Sequence, residues 1–446
     1  FNLRVLVVAL SAIYFLVSGV RGAVRQSWDF APVYSGVRCL LHSCNPYQIP
    51  QLNREFLRSG GREEVVRQVG GWADVLPVYP PSTFVALVPL GLLRFPAAVL
   101  VWSLLNSCLF IAAVLLVLSL CPPSHRWLAT AFACSFLLTG MALVKDGQPS
   151  AFAPSSLVIG GALFVRRRHL LVAACLLMFS LAIKPQIGGL IALYFFANKA
   201  SRRYAGLAIA GAATLLLIGG LTLEMRPASR NWFSELRTNI ATSLAPGQVN
   251  DPASPSSDEI NLQAVTSVLF AHEAASSMVA YGVFLLLADA WAIGTMRHSF
   301  EPPAGFLVLG ALLVLSLLPV YHRHWDAAIL LLSVPSILVI LEKRRVLGTL
   351  IAALTFLGST GIPRFQDSYL LVHAPALRLL LLQSKFLMFL VLSSAGDLPS
   401  RFQHMLDNKF LFVLVLRQQN LELLLLACLF LYAVFAIRLA PERIRA

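Results

Sequence analysis

Three places in this 446-residue sequence bring together side chains that can do chemistry. The first is Asp29, in Trp28-Asp29-Phe30, just beyond an opening apolar run. A carboxylate held by aromatics at a membrane edge reaches both lipid-borne and aqueous substrates, and can take a proton as a general base. The same spacing also fits a solvated aspartate paired with Arg21 or Arg25. The second is Lys184, in Ile183-Lys184-Pro185-Gln186 between two apolar runs. An ammonium group there is costly in lipid unless it snorkels to the interface or faces an anion, and phosphate suits a point charge. Pro185 breaks the helix and should free backbone groups toward the same ligand. The third is Tyr321-His322-Arg323-His324-Trp325-Asp326. Two histidines, an arginine and an aspartate so close can bind phosphate, orient a carboxylate or ligate a metal, or can form an aromatic and basic interfacial belt. His322 and Asp326 are four apart and would share a helix face.

Weaker signals lie around these. Lys145-Asp146-Gly147-Gln148 and Asn261-Leu262-Gln263 add hydrogen-bonding groups, while Asp289, Arg417 and Glu422 read as polar contacts between helices. Cys39 and Cys44 bracket His42 in a polar stretch, which fits a loop disulfide better than a metal site short of a fourth ligand. No phosphate-binding glycine loop, nucleophile elbow or paired-cysteine metal motif occurs.

The elements that must position these groups are set by solvent. The residues are 58% hydrophobic and 13% charged, with a mean hydropathy of +0.75. That exceeds what a soluble globule of this size can hide and excludes an ordinary water-soluble enzyme, so the missing solvent is lipid. The net charge of +14 comes from basic clusters in short loops, which fits the positive-inside bias and anionic headgroups rather than nucleic acid.

Apolar runs fall at 3–20, 81–93, 97–120, 127–144, 151–165, 170–183, 187–196, 205–223, 277–296, 304–319, 327–341, 346–357, 370–392 and 421–437. No Ser/Gly linker or internal repeat divides them, so residues 1–446 read as one all-α integral membrane domain of about 11–14 transmembrane or re-entrant helices. Residues 21–79 form a long first external loop with interfacial helices, 224–276 a second large external loop, and 342–446 less specific C-terminal helices. A short segment is expected ahead of Phe1, and no cleavable signal peptide is recognisable. The clusters at Arg166, Arg167, Arg168; Lys199, Arg202, Arg203; Lys343, Arg344, Arg345; and Arg438, Arg443, Arg445 belong to the cytoplasmic side. The polar segments 145–150, 183–186, 224–276 and 320–326 then share the opposite side with the first loop. Counting 81–93, 97–120 and 127–144 all as crossings would put Lys145 on the wrong side, so one of these stretches must fall short of a full crossing.

The order of these motifs resembles glycosyltransferase family 87. Trp28-Asp29-Phe30 and Asn45-Pro46-Tyr47 are followed by Tyr79-Pro80-Pro81, Pro89-Leu90, Gly147-Gln148, Lys184-Pro185, Asn261 and His322-Arg323-His324-Trp325-Asp326. The likeness runs from the first span to about residue 341. It implies a GT-C-type bundle that moves a hexose, mannose foremost, from a polyprenyl-phosphate donor to a lipid or glycan hydroxyl with inversion. Such an enzyme sits in the cell membrane with its active site toward the periplasm or exterior, and its partners are the donor, the acceptor and the bilayer. By the same resemblance Asp29 and His322 are catalytic, while Lys184, Arg323 and His324 hold the donor phosphate. Tyr34, Asn45, Tyr47, Tyr79, Gln148 and Asn261 position sugar or acceptor, and the cations present favour a reaction without metal or other cofactor. A transporter or flippase of lipid-linked sugars is the competing reading, ahead of a non-catalytic scaffold.

Overall fold

The computed structural model describes residues 3–25, 27, 29–63, 76–248, 250–253, 259–270, 272–360 and 417–437. About 80% is helical, and the described residues contain no strand, only an isolated antiparallel bridge between Glu259 and Arg323. The chain enters through α1 (Leu3–Arg25), turns through α2 (Phe30–His42) and α3 (Ile49–Arg58), and comes back in two short pieces, α4 (Pro81–Ala86) and α5 (Val88–Gly91). It then runs back and forth as α6 (Phe95–Leu120), α7 (Arg126–Lys145), α8 (Pro149–Val165), α9 (Leu170–Ile183), α10 (Pro185–Ala197) and α11 (Arg202–Glu224). The second polar stretch holds α12 (Trp232–Ser243) and α13 (Gln263–Leu269). After it come α14 (Glu273–Thr295), α15 (Ala304–Ser316), a 3₁₀ helix (His324–Ser333) continued by α16 (Val334–Lys343), then α17 (Arg345–Thr360) and α18 (Gln418–Ala436).

A helix rises about 1.5 Å per residue, so about 20 apolar residues cross a hydrocarbon layer some 30 Å thick. Among the described residues seven stretches meet that length and apolarity, and five shorter apolar helices accompany them. Leucines, valines and methionines on the long helices face outward, as Val17, Leu217, Met278 and Leu286 do. Lipid is the solvent that tolerates such a surface. Inside, α15 is buried along its whole length, and the 3₁₀ helix packs between it and α8.

The run at 81–93 is not a crossing. It forms helices of 6 and 4 residues broken at Leu87, about half a bilayer in length. With it removed from the alternation, the segments at 145–150, 183–186 and 320–326 and the described residues of 224–276 come to one end of the bundle and the described basic clusters to the other. The expected span at 370–392, the arginines at 438–445 and Trp28 lie outside the described residues. In the first loop α2 is buried on nearly every side, with Phe30 stacked on Trp102 at 5.4 Å and Tyr34 edge-on to Phe95 at 5.3 Å. The backbone of Pro81 approaches α11 so closely that a Cβ on Gly219 would meet its carbonyl oxygen at 2.8 Å. That approach seats α4 against the end of α9.

Candidate active site

Asp29 occupies the position just before α2 and makes no capping bond to that helix, which leaves its carboxylate to face elsewhere. Its backbone N–H donates to the Asp146 carbonyl at 3.1 Å, and Gln148 Nε2 donates to its Oδ2. Both partners sit on the turn between α7 and α8. Gly147 makes that turn at φ +69°, and a Cβ there would press on Phe30 Cβ at 2.7 Å. Trp102 Nε1 donates to the Gly147 carbonyl at 2.9 Å and holds the turn from the other side. Asp29 keeps part of its surface open, whereas Gln148 is buried. Burial raises the Asp29 carboxyl above its ordinary value, although the Arg323 and Lys184 charges and the Gln148 bond pull the other way. All three opposing groups therefore act on one carboxylate.

Lys184 stands where the chain breaks between α9 and α10, with Pro185 opening the second helix. The sequence suggested that the broken helix would offer backbone groups to a ligand. Instead, the Ala182 carbonyl accepts from the Ser82 and Thr83 hydroxyls of α4, at 2.7 and 3.1 Å. An orphan carbonyl at a helix end needs a donor, and here a neighbouring helix supplies it. The Lys184 ammonium donates to Asp326 Oδ1 at 3.0 Å, with both side chains buried. Asp326 Oδ2 also receives the Arg323 backbone N–H and faces His322 Nδ1, each at 3.3 Å. The pairing explains how an ammonium and a carboxylate survive at this depth.

His322, expected to be catalytic, has both ring nitrogens occupied: Nδ1 faces Asp326, and Nε2 meets the Ser316 carbonyl at 3.1 Å. It is fully buried, so in this geometry its ring positions Asp326. The Arg323 guanidinium is half-buried, bonded to Tyr321 Oη and Asn250 Oδ1 at 2.5 Å each, and lies 5.2 Å over the Trp325 ring. His324 is half-buried and packs its ring against Trp325 at 4.6 Å. Tyr79 is half-buried in the same neighbourhood; its phenol is pushed well up by burial and by the charges of Asp29, Tyr321 and Asp326, so it offers a neutral O–H.

The structure thus brings Asp29, Tyr79, Gln148, Lys184 and Arg323 within electrostatic reach of one another and leaves Tyr34, Asn45, Tyr47 and Asn261 in other company. Tyr34 is fully buried and donates to the Leu93 carbonyl at 2.7 Å. Asn45 bonds the Ala228 carbonyl and Glu235, pinning the first loop to the second. Tyr47 stacks on Trp232 and donates to the Tyr79 carbonyl at 3.0 Å, which ties it to the backbone beside the charged cluster. Asn261 bonds Glu259 at 2.9 Å and accepts the Ala264 N–H at 2.8 Å, closing the start of α13. Cys39 and Cys44 are disulfide-bonded and His42 pairs with Glu55 at 2.6 Å, which ends the metal reading of that trio.

Sequence reasoning named Asp326 without its pairing and passed over three other contributors. Asp326 is the partner of Lys184, which only a contact 142 residues apart reveals. Asn250 anchors Arg323, and Trp102 anchors Gly147. Glu259 bridges to Arg323, and burial pushes its carboxyl up to about 7 against the Asn261 bond and the charges of Arg417 and Arg323. A buried tryptophan and a lone asparagine give no signal before the turns they hold are known.

Fold and site together define a multispanning helical membrane protein with a cluster of charged and polar side chains at one end of its bundle. The chain belongs to glycosyltransferase family 87, whose family model matches residues 78–320, more than half of it. The match takes in Tyr79, Gln148, Lys184 and Asn261, stops just short of Tyr321, and sets a glycosyltransferase above the transporter and scaffold readings. No curated protein and no solved structure gives a significant match.

Proposed function

We propose that this glycosyltransferase takes a hexose, mannose foremost, from a polyprenyl-phosphate donor and passes it with inversion to a hydroxyl of a lipid-linked or glycan acceptor. The observation that carries the reading is the setting of Asp29: a carboxylate raised by burial, steadied by Gln148, with the charges of Lys184 and Arg323 acting on it. In the reaction Asp29 accepts the acceptor's proton, and the oxygen attacks the anomeric carbon from the face opposite the phosphate. The bond to the phosphate oxygen breaks, and its electron pair leaves with the lipid phosphate. Negative charge grows on that phosphate in the transition state, where fixed cations stabilise it most. Lys184 and Arg323 supply that charge, with His324 beside them, and the reaction as drawn calls for no metal.

We read the bundle as GT-C-type and multi-pass in the cell membrane, with the charged cluster toward the periplasm or exterior and no nucleic-acid partner. The basic clusters gathered at the far end support that orientation. So does the Cys39–Cys44 disulfide near the charged-cluster end, since such bonds persist where the surroundings are oxidising. The test is to incubate the purified full chain with polyprenyl-phosphate mannose and candidate glycolipids and to look for a product one hexose heavier. Asp29→Asn is expected to lower the rate about 10²- to 10⁴-fold with donor binding kept. Full turnover by that variant would remove Asp29 as base, and transfer only from a soluble nucleotide sugar would remove the lipid donor.

A further inference from the structure

A groove of about 440 Å³ lies on the outside of the bundle between the last turns of α1 and the first half of α6. Its lining is almost wholly apolar, from Leu16, Val17, Val20, Val24 and Leu104 together with Arg21 and Arg25, both of which are exposed. A third arginine joins them: Arg62, beyond α3, donates from Nη2 to the Arg25 carbonyl at 3.0 Å. Among the described residues none of the three is in an ion pair with a carboxylate.

Membrane topology does not account for these arginines. They stand at the charged-cluster end of the bundle, opposite Arg166, Arg167, Arg168 and Lys343, Arg344, Arg345, where the positive-inside bias would remove basic residues rather than gather them. Arg21 and Arg25, four apart on one helix face, also repel each other, and an anion between them relieves that repulsion. A bare anion would leave the apolar wall without a purpose. An anion carrying a hydrocarbon chain uses both, since guanidinium groups grip phosphate through two parallel bonds and the valines offer the chain a surface.

We propose that this groove binds an anionic phospholipid, its phosphate held by Arg21, Arg25 and Arg62 and one acyl chain laid along Val17, Val20, Val24 and Leu104. Arg25 precedes Asp29 by four residues in the chain, and the bound lipid takes no part in the transfer chemistry. Native mass spectrometry of the purified full chain tests this, with phosphatidylglycerol or phosphatidylcholine added. Wild type is expected to retain phosphatidylglycerol under activation that strips phosphatidylcholine. R21Q/R25Q/R62Q should bind phosphatidylglycerol at least tenfold more weakly. Leu104→Trp, which fills the groove and leaves the arginines in place, should weaken it as well and covers the case of a triple variant that fails to fold. Equal retention of the two lipids by wild type, or undiminished phosphatidylglycerol on either folded variant, would overturn the proposal. Displacement of the lipid by an equal concentration of inorganic phosphate would reduce the site to a plain anion contact and overturn it too. Lipid mass is read here, so the outcome is independent of the sugar, donor and acceptor.

Discussion

Two groups of polar side chains invite comparison. In one, Asp29 is held by Gln148, Lys184 pairs with Asp326, and the Lys184 and Arg323 charges act on Asp29. In the other, Tyr34 and Tyr47 donate to the Leu93 and Tyr79 carbonyls, and Asn45 and Asn261 divide their bonds between backbone groups and the carboxylates of Glu235 and Glu259. Residue type does not separate the groups, because tyrosines and amides occur in both. Partner type does. A side chain spent on a backbone group completes local structure, and removing it costs roughly one hydrogen bond. A side chain held among charges sets a potential that a reacting group feels, so its loss should appear in rate and pH dependence.

That contrast can be broken in order of expected size. Asp29→Asn should give the largest change, the loss of about 10²- to 10⁴-fold in transfer described above, with thermal stability near wild type. Lys184→Ala should come next. It weakens the phosphate-linked donor much more than a soluble acceptor and, by stranding Asp326 in the interior, costs about 3–5 kcal/mol of stability. Equal losses for donor and acceptor in steady-state kinetics would reduce Lys184 to a structural ion pair.

Arg323→Gln sharpens the comparison through pH. A base works only when ionised, so the rate falls on the acid side as Asp29 takes up its proton. The Arg323 charge lowers the Asp29 value, and removing it must raise that value further. The acid limb of kcat/KM should therefore move to higher pH, whereas an unmoved limb would separate Arg323 from the base. Smallest of all, Tyr34→Phe should lose one bond to the Leu93 carbonyl, about 1 kcal/mol in thermal unfolding, with kcat per folded molecule unchanged. A fall in kcat beyond twofold would place Tyr34 with the charged group after all.

Much of this was legible in the chain alone. The all-α membrane class follows from composition, since no soluble packing hides so much apolar surface. Asp29, Gln148, Lys184 and Arg323 stood out because polar groups at the ends of apolar runs have few harmless explanations. The loop residues misled for the opposite reason. Asn45 and Tyr47 sit in a polar stretch where sugar contacts and loop anchors look alike, and their true neighbours, Glu235, Trp232 and Tyr79, are 32 to 190 residues away.

By itself the sequence determined the solvent, the helical class and the sites where charge meets lipid, because these depend on burial energies summed along contiguous residues. Tertiary structure decided what each charge meets. It gave Lys184 to Asp326, turned His322 inward onto Ser316 and cut 81–93 into two short helices, the first of which braces the Lys184 break. Those outcomes turn on contacts between remote segments, whose geometry no local pattern of residues encodes.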